Sequence, residues 1–383
     1  MRQTAIRSFQ DCFSTLRDAR VKRSRRHELL DIIIIAVSAV ICEAETWVDI
    51  AEFGRIRLEW LQGFLHLSNG IPSHDTFRRV FALLNPEEFE RCFLLWAGGL
   101  REGIEGQMVA LDGKTLRRSH DSASGKTPLN LVSAWASENH LVLGQFRVED
   151  GSNEITAIPP LLKMLELTGC IVTIDAIGTQ KEIVSQIREQ KADYVLTLKE
   201  NQELLYEGVE DSFKEGVKAN FKDIAHDYCQ TMDKDHGRLE IRRYWTISEP
   251  EYLKYLNPEG DWKDLRSIGM VESERDIRGE VSRETRYFIT SLSGNAEEFG
   301  RVVRSHWGIE NGLHWVLDVD FREDDSRIRK GNGAENMAML RRLALNLIKQ
   351  EPTMRKSVKG RRLKAAWSGD YLLQVLTSIS SPI

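Results

Sequence analysis

Met108-Val-Ala-Leu-Asp-Gly-Lys-Thr115 and Ile171-Val-Thr-Ile-Asp175 are the two stretches from which the fold can be read. Each opens with four apolar or β-branched residues, the composition of a buried strand, and each ends that run on an aspartate. In the first, Asp112-Gly113 reads as the break after the strand. In the second, a helical pattern from about Thr179 to Gln190 follows. Both aspartates are therefore expected at the C-terminal ends of strands. Working outward, strands are expected at 108–111, 129–136, 141–148, 171–174 and 194–198, with helices at 154–167 and 179–190. Three consecutive strands followed by helix–strand alternation predict an α/β fold, a mixed sheet with an antiparallel flank.

A third acid stands in Arg304-Ser-His-Trp-Gly-Ile-Glu310-Asn-Gly-Leu-His-Trp-Val-Leu-Asp318. Trp307, Glu310, His314 and Leu317 recur at steps of three and four, so one helix face is expected to carry them all. A carboxylate on such a stripe loses hydration unless a cation or a donor satisfies it. Asp112 and Asp175 also suit turns or helix caps. Asp112, Asp175 and Glu310 taken together point to a metal-dependent nuclease or strand-transfer centre. His306 and His314, on the same helix, read as satisfied core histidines, with contact to DNA or metal as the alternative.

The chain has 383 residues, more than one hydrophobic core usually serves, so two or three domains are expected. Cys12, Cys42, Cys92, Cys170 and Cys229 are scattered with no Cys-x-x-Cys pair, which argues against a structural zinc or a disulfide framework and for a reducing cytoplasm. The apolar run Ile32 to Cys42 is too short to span a bilayer, and no secretory leader is expected after Met1. Gly113-Lys-Thr115 and Gly125-Lys-Thr127 lack the earlier glycine of a phosphate loop, Met108 and His120 standing there instead, and no Gly-x-Ser-x-Gly elbow exists.

With 53 basic and 58 acidic residues the chain carries −5 overall, but the charge is unevenly spread. Residues 1–30 and 349–364 are locally basic and suited to phosphates. Residues 1–100 are helical in pattern. Pro72-Ser-His-Asp-Thr opens a helix whose Arg78 and Arg79 lie opposite an apolar face, as a helix-turn-helix recognition helix or a plain packing helix would have them. Between Lys199 and Ala296, β-rich runs such as Leu239 to Ile247 and Thr285 to Leu292 indicate an inserted β-rich subdomain. Asp320, Glu323, Asp324 and Asp325 read as a solvated acidic face, and Arg341, Arg342 and Asn346 as part of a final helix on the core.

His27 to Ile35, Glu45 to Gly54, Gly70 to Val80, Leu111 to Arg117, Ala192 to Lys199, His236 to Glu240, His306 to Asn311 and Leu313 to Asp318 carry a resemblance across nearly the whole chain. In order and spacing they resemble the DDE transposases of bacterial insertion sequences, specifically the H-repeat-associated family found beside Rhs elements. The resemblance implies a ribonuclease H-like mixed-sheet catalytic core over 101–350, with the β-rich insertion at about 203–295. An all-helical, helix-turn-helix-like DNA-binding domain would precede it at 1–100, and a basic tail would follow at 351–383.

It implies further that Asp112, Asp175 and Glu310 form a triad for two Mg²⁺ ions, for which Mn²⁺ can substitute. Asp112 would bridge both ions and the other two acids would hold one each. Two such ions activate the nucleophile and stabilise the leaving oxygen in phosphodiester cleavage. Lys114, Lys199, Arg78 and Arg79 are the expected DNA contacts. The expected partners are double-stranded DNA, as element terminal repeats and target, and a second copy of the chain on that DNA, with no membrane. The location implied is a bacterial cytoplasm, at the nucleoid when DNA is bound. Related families often carry Tyr, Arg and Lys where this chain has Val303, His306 and Leu317, and Lys-Gly-Asn-Gln where it has Lys199-Glu-Asn-Gln202. A structure-selective nuclease on the same core, or a binder that has lost catalysis, are the alternative readings.

Overall fold

The computed structural model describes residues 9–99, 106–120, 125, 127–235, 238–277 and 279–378. Residues 1–8 and 379–383 of the basic segments, the boundary expected at 100–101, Lys126, His236 and Gly237 lie outside the described residues. Ahead of the first strand come α1 (Leu29–Ile41), α2 (Trp47–Ile56), α3 (Leu58–Gln62), α4 (His74–Leu83) and α5 (Pro86–Gly98).

Their starts are written locally. The Thr46 hydroxyl accepts from the Asp49 N–H while the Asp49 carboxylate accepts from the Thr46 N–H, closing a capping box. Ser73 caps α4, and Asn85 caps α5 with Pro86 in the first turn, where a missing N–H costs nothing. The apolar run read at Ile32 to Cys42 is α1, buried from Asp31 to Ile41. Among the described residues no helix is long and apolar enough to cross a membrane.

β1 (Met108–Leu116), β2 (Leu129–Ala136) and β3 (Leu141–Arg147) form an antiparallel meander. Then α6 (Glu154–Met164) leads to β4 (Ile171–Ile174), and α7 (Lys181–Glu189) to β5 (Asp193–Leu198), with β1, β4 and β5 as parallel neighbours. The chain continues through α8 (Glu203–Lys218), β6 (His226–Asp235), β7 (Arg238–Ile247), α9 (Pro250–Leu256), β8 (Ser267–Ile277) and β9 (Glu280–Thr290). Because β9 pairs antiparallel with β5, these strands continue one nine-stranded sheet of order β3-β2-β1-β4-β5-β9-β8-β7-β6. Last come α10 (Ala296–Ile309), a π-helical turn (Glu310–His314), α11 (Trp315–Val319), α12 (Gly333–Gln350), α13 (Val358–Trp367) and α14 (Gly369–Thr377).

The sheet is covered on both faces. On one, Ala110, Trp135 and Val142 meet a core shared by α1 to α5 and the helices after β9; Ala365, Tyr371 and Leu372 belong to it. On the other, Val109, Leu111, Val172 and Ile174 pack under α6, α7 and α8.

Two expectations are corrected here. Asp112-Gly113 does not end β1, because β2 goes on pairing through Gly113 with Val132 to Leu116 with Leu129. What ends at this level is β4, whose last pair joins Ile174 to Leu111. The acids at 320–325 are not a solvated face. Glu323 is 1 % exposed and accepts a hydrogen bond from the fully buried Arg342, while Asp324 meets Lys114 and Arg117. Buried arginines of α12 require counter-charge, and this loop supplies it.

Candidate active site

Leu111 and Ile174 are partners across the parallel β1–β4 step, so the residues that follow them, Asp112 and Asp175, are neighbours about one strand spacing, ~4.8 Å, apart. Asp112 shares its strand face with Ala110, the face toward α10. Its carboxylate accepts from the Gly113 N–H at 2.9 Å. Burial first, and then the charge of Asp175, push the Asp112 pKa up to about 7.

The glutamate arrives on a helix pressed closely to the sheet. A Cβ on Gly312 would lie 2.9 Å from the ring of the fully buried Trp135, and one on Gly308 3.5 Å from Ser137 Oγ. Glycine at these two positions lets the helix approach. The turn at Glu310–His314 then widens to i→i+5, a departure that recurs at functional sites. This corrects the expected stripe. Ile309, Leu313 and Leu317 take the inner face, whereas Trp307 is 49 % exposed and Glu310 is exposed. The inserted residue rotates Glu310 out of the core and over Asp112.

His314 sits between the two acids. Its Nδ1 is 3.4 Å from Asp112 Oδ2 and 3.4 Å from Glu310 Oε2. The ring is 4 % exposed and its Nε2 has no hydrogen-bond partner. Burial, then Arg342 and Lys114, push its pKa down to about 3, so the imidazole is neutral and offers a lone pair. It is not the satisfied core histidine expected. His306 is satisfied but only half-buried: its Nδ1 pairs with Thr173 Oγ1 at 2.9 Å.

Ligand atoms of Asp112, Glu310 and His314 all lie within 4.8 Å of one another, while Asp175 falls outside that group of three. Among the described residues no Lys or Arg pairs with Asp112, Asp175 or Glu310, although most acids nearby are paired, as Asp318 is with Lys114. Carboxylate oxygens, one neutral imidazole and uncompensated negative charge fit a divalent cation.

The other expected residues are distributed as follows. Lys114 is buried and turned to Asp318 and Asp324. Lys199 is exposed on the rim of a cavity of about 520 Å³ that it lines with Asp175, Asn201 and Tyr206. Arg78 and Arg79 are exposed on α4, Arg78 holding Asp75 at 2.7 Å. Val303 packs with the Phe288–Phe299 cluster and Leu317 is fully buried, so these two of the departures from related families serve packing here.

Two features escaped the sequence. Arg242, Arg275, Arg283, Arg286 and Arg304 line a groove of about 450 Å³ with Trp307, next to Glu310, and Arg286 stacks 4.9 Å over the Trp307 ring. No regular spacing of Arg along β7 to β9 announced it. The second is Glu154, at the start of α6, where an acid usually signals nothing beyond a helix beginning.

A mixed sheet that brings two aspartates to one end of neighbouring parallel strands, beneath a helix bearing a glutamate, defines an acidic, cation-ready centre. The chain belongs to the DDE transposases: the family described as "Transposase DDE domain" matches residues 104–347, and the one described as "DDE_Tnp_1-associated" matches 10–97. It is 40 % identical over 380 residues to YncI of Escherichia coli O157:H7, named as a transposase, covering 98 % of this chain and 96 % of that one. It is 36 % identical over 375 residues to YhhI of Escherichia coli strain K12, named as an H repeat-associated transposase, covering 97 % and 98 %. A piggyBac transposase solved in a synaptic complex with hairpin DNA matches with TM-score 0.44 and 11 % identity over 99 % of this chain and 78 % of that one, too distant to bear on the fold.

Proposed function

We propose that this transposase binds the ends of its own element, nicks them by hydrolysis and joins the freed 3′-hydroxyl to target DNA. The observation that carries the reading is the convergence of Asp112, Glu310 and the neutral His314, with Asp175 beside them, in a site where, among the described residues, no Lys or Arg pairs with the acids. In this reading the strand order from β3 to β5 is a ribonuclease H-like core.

Asp112, Asp175 and Glu310 would hold the divalent cations, Mg²⁺ or Mn²⁺, with His314 as a further donor. Cations bound there would lower the pKa of the attacking hydroxyl and offset charge on the leaving oxygen. The chain's own part is preorganisation. The β1–β4 register fixes the spacing of the aspartates, and the glycine-to-tryptophan contact fixes the glutamate. Burial keeps His314 unprotonated.

For the substrate, Lys199 at the Asp175 rim and the arginine groove beside Trp307 offer positive charge on two sides of the acids. Phosphates would compete there with the acidic partners of the arginines, such as Glu240 for Arg242 at 2.7 Å. Reading of end sequence is assigned to residues 1–100, with Arg78 and Arg79 as candidate contacts. Two element ends must be held at once, so a homodimer on DNA is the simplest assembly. The test is metal-dependent nicking of DNA that carries the element end and its genomic flank, with light scattering of the complex. Two chains per paired-end complex are expected, and a single chain would remove the dimer.

A further inference from the structure

Glu154 opens α6 on the face of the sheet opposite α10. Its carboxylate does not bond the free amides of its own helix, and among the described residues it has no basic partner. It lies instead against β1: a Cβ built on Gly113 would fall 2.0 Å from the Glu154 carboxyl carbon and 2.1 Å from Oε1. Gly113 has an ordinary backbone conformation, so glycine here is a matter of space and not of dihedral angle. The position is telling, because β4 has ended at Ile174, whose partner Leu111 stands two residues before Gly113. Beyond that pair Asp175 follows beside Asp112, and among the described residues no strand pairs with β1 on the β4 side. A carboxylate from one face of the sheet can therefore reach the Asp112–Asp175 step through the notch. The electrostatics agree, since burial and then the charge of Asp175 raise the Glu154 pKa, and Asp112 in turn feels Glu154.

Four acids without a cation would be only a repulsive cluster. The second observation is His314, buried, with no partner at Nε2 and with Nδ1 aimed between Asp112 and Glu310.

We propose that Glu154 is a fourth carboxylate of the cation-holding centre, set across β1 from Glu310 and admitted to it by the absent side chain of Gly113. This rests on the reading of Asp112, Asp175 and Glu310 as cation ligands. Glu154 closes the side of the centre that the helix-borne glutamate leaves open, and it gives the Asp112–Asp175 step a ligand from each face of the sheet.

The test is calorimetric titration of the full-length, DNA-free protein with Mn²⁺, together with its melting temperature with and without Mn²⁺, for wild type, E154Q, G113A and D112N. The proposal expects E154Q to bind Mn²⁺ roughly tenfold more weakly, the scale found for carboxylates that support a metal site. G113A, which keeps Glu154 but fills its space, should do the same. Without Mn²⁺, E154Q should melt no lower than wild type, because a like charge has been removed. If E154Q and G113A bind Mn²⁺ as wild type does while D112N binds it poorly, Glu154 is only a helix-start acid and the triad stands. If D112N also binds as wild type does, the reading of the centre falls and this proposal with it. E154D, shorter but still charged, should recover part of the affinity; equal loss in E154D and E154Q without loss in G113A would overturn the role of the notch.

Discussion

His314 Nδ1 stands 3.4 Å from Asp112 Oδ2, joining a strand in the middle of the sheet to a helix that begins nearly two hundred residues later. A neutral imidazole and a carboxylate at that separation form half of a ligand pair. The arrangement predicts what His314 does.

H314A should weaken Mn²⁺ binding about tenfold, as loss of a metal-supporting group does, and lower cleavage with it. Mn²⁺ electron paramagnetic resonance, which reads free ion directly, checks this. A core histidine would instead cost stability and leave Mn²⁺ affinity where it was.

G312A places a methyl 2.9 Å from the Trp135 ring, which has no room to retreat. Overpacking of this kind costs about 1–3 kcal/mol. The helix must lift, and Glu310 and His314 lift with it, so cleavage should fall by more than tenfold while urea denaturation still reports a folded protein. Unchanged cleavage would mean that the close approach does not position the glutamate.

Glu90, far from these acids in sequence, gives a pH dependence. It is 5 % exposed, accepts from the Gln145 N–H at 2.8 Å, and burial pushes its pKa up to about 8. An unfolded glutamate titrates near 4.3. The folded state thus keeps a proton that the unfolded state releases. The stability this gives is complete below about pH 4 and is lost as pH rises through about 8. E90Q removes the slope. Urea denaturation at pH 5 and pH 8 should show the E90Q variant gaining on wild type by an amount on the order of 3 kcal/mol. A pH-independent difference would mean that Glu90 is charged when folded.

Much of this was legible locally. The strand at 171–174 was read with its bounds, and the capping serine of α4 and the helix at Glu154 were visible because apolar runs and caps act over a few residues. β1 was cut short because Asp-Gly is a turn signal unless something remote requires glycine; the Glu154 carboxylate is that requirement. The widened turn at Glu310 was hidden for a similar reason, since steps of three and four assume an unbroken helix. The pairing of Asp324 with Lys114 of β1 and of Glu323 with Arg342 of α12 joins residues far apart in the chain. So does the core that unites α1 with α12 to α14, which no local pattern announces.

Asp112, Asp175 and Glu310 act as one centre in the proposed reaction. Cleavage of end DNA in Mg²⁺, measured beside end binding by gel shift for wild type, D112N, D175N and E310Q, tests this most directly. These substitutions keep size and remove charge, so all three variants should bind the end nearly as wild type does and cleave it not at all. Near wild-type cleavage by any one of the three would contradict the account.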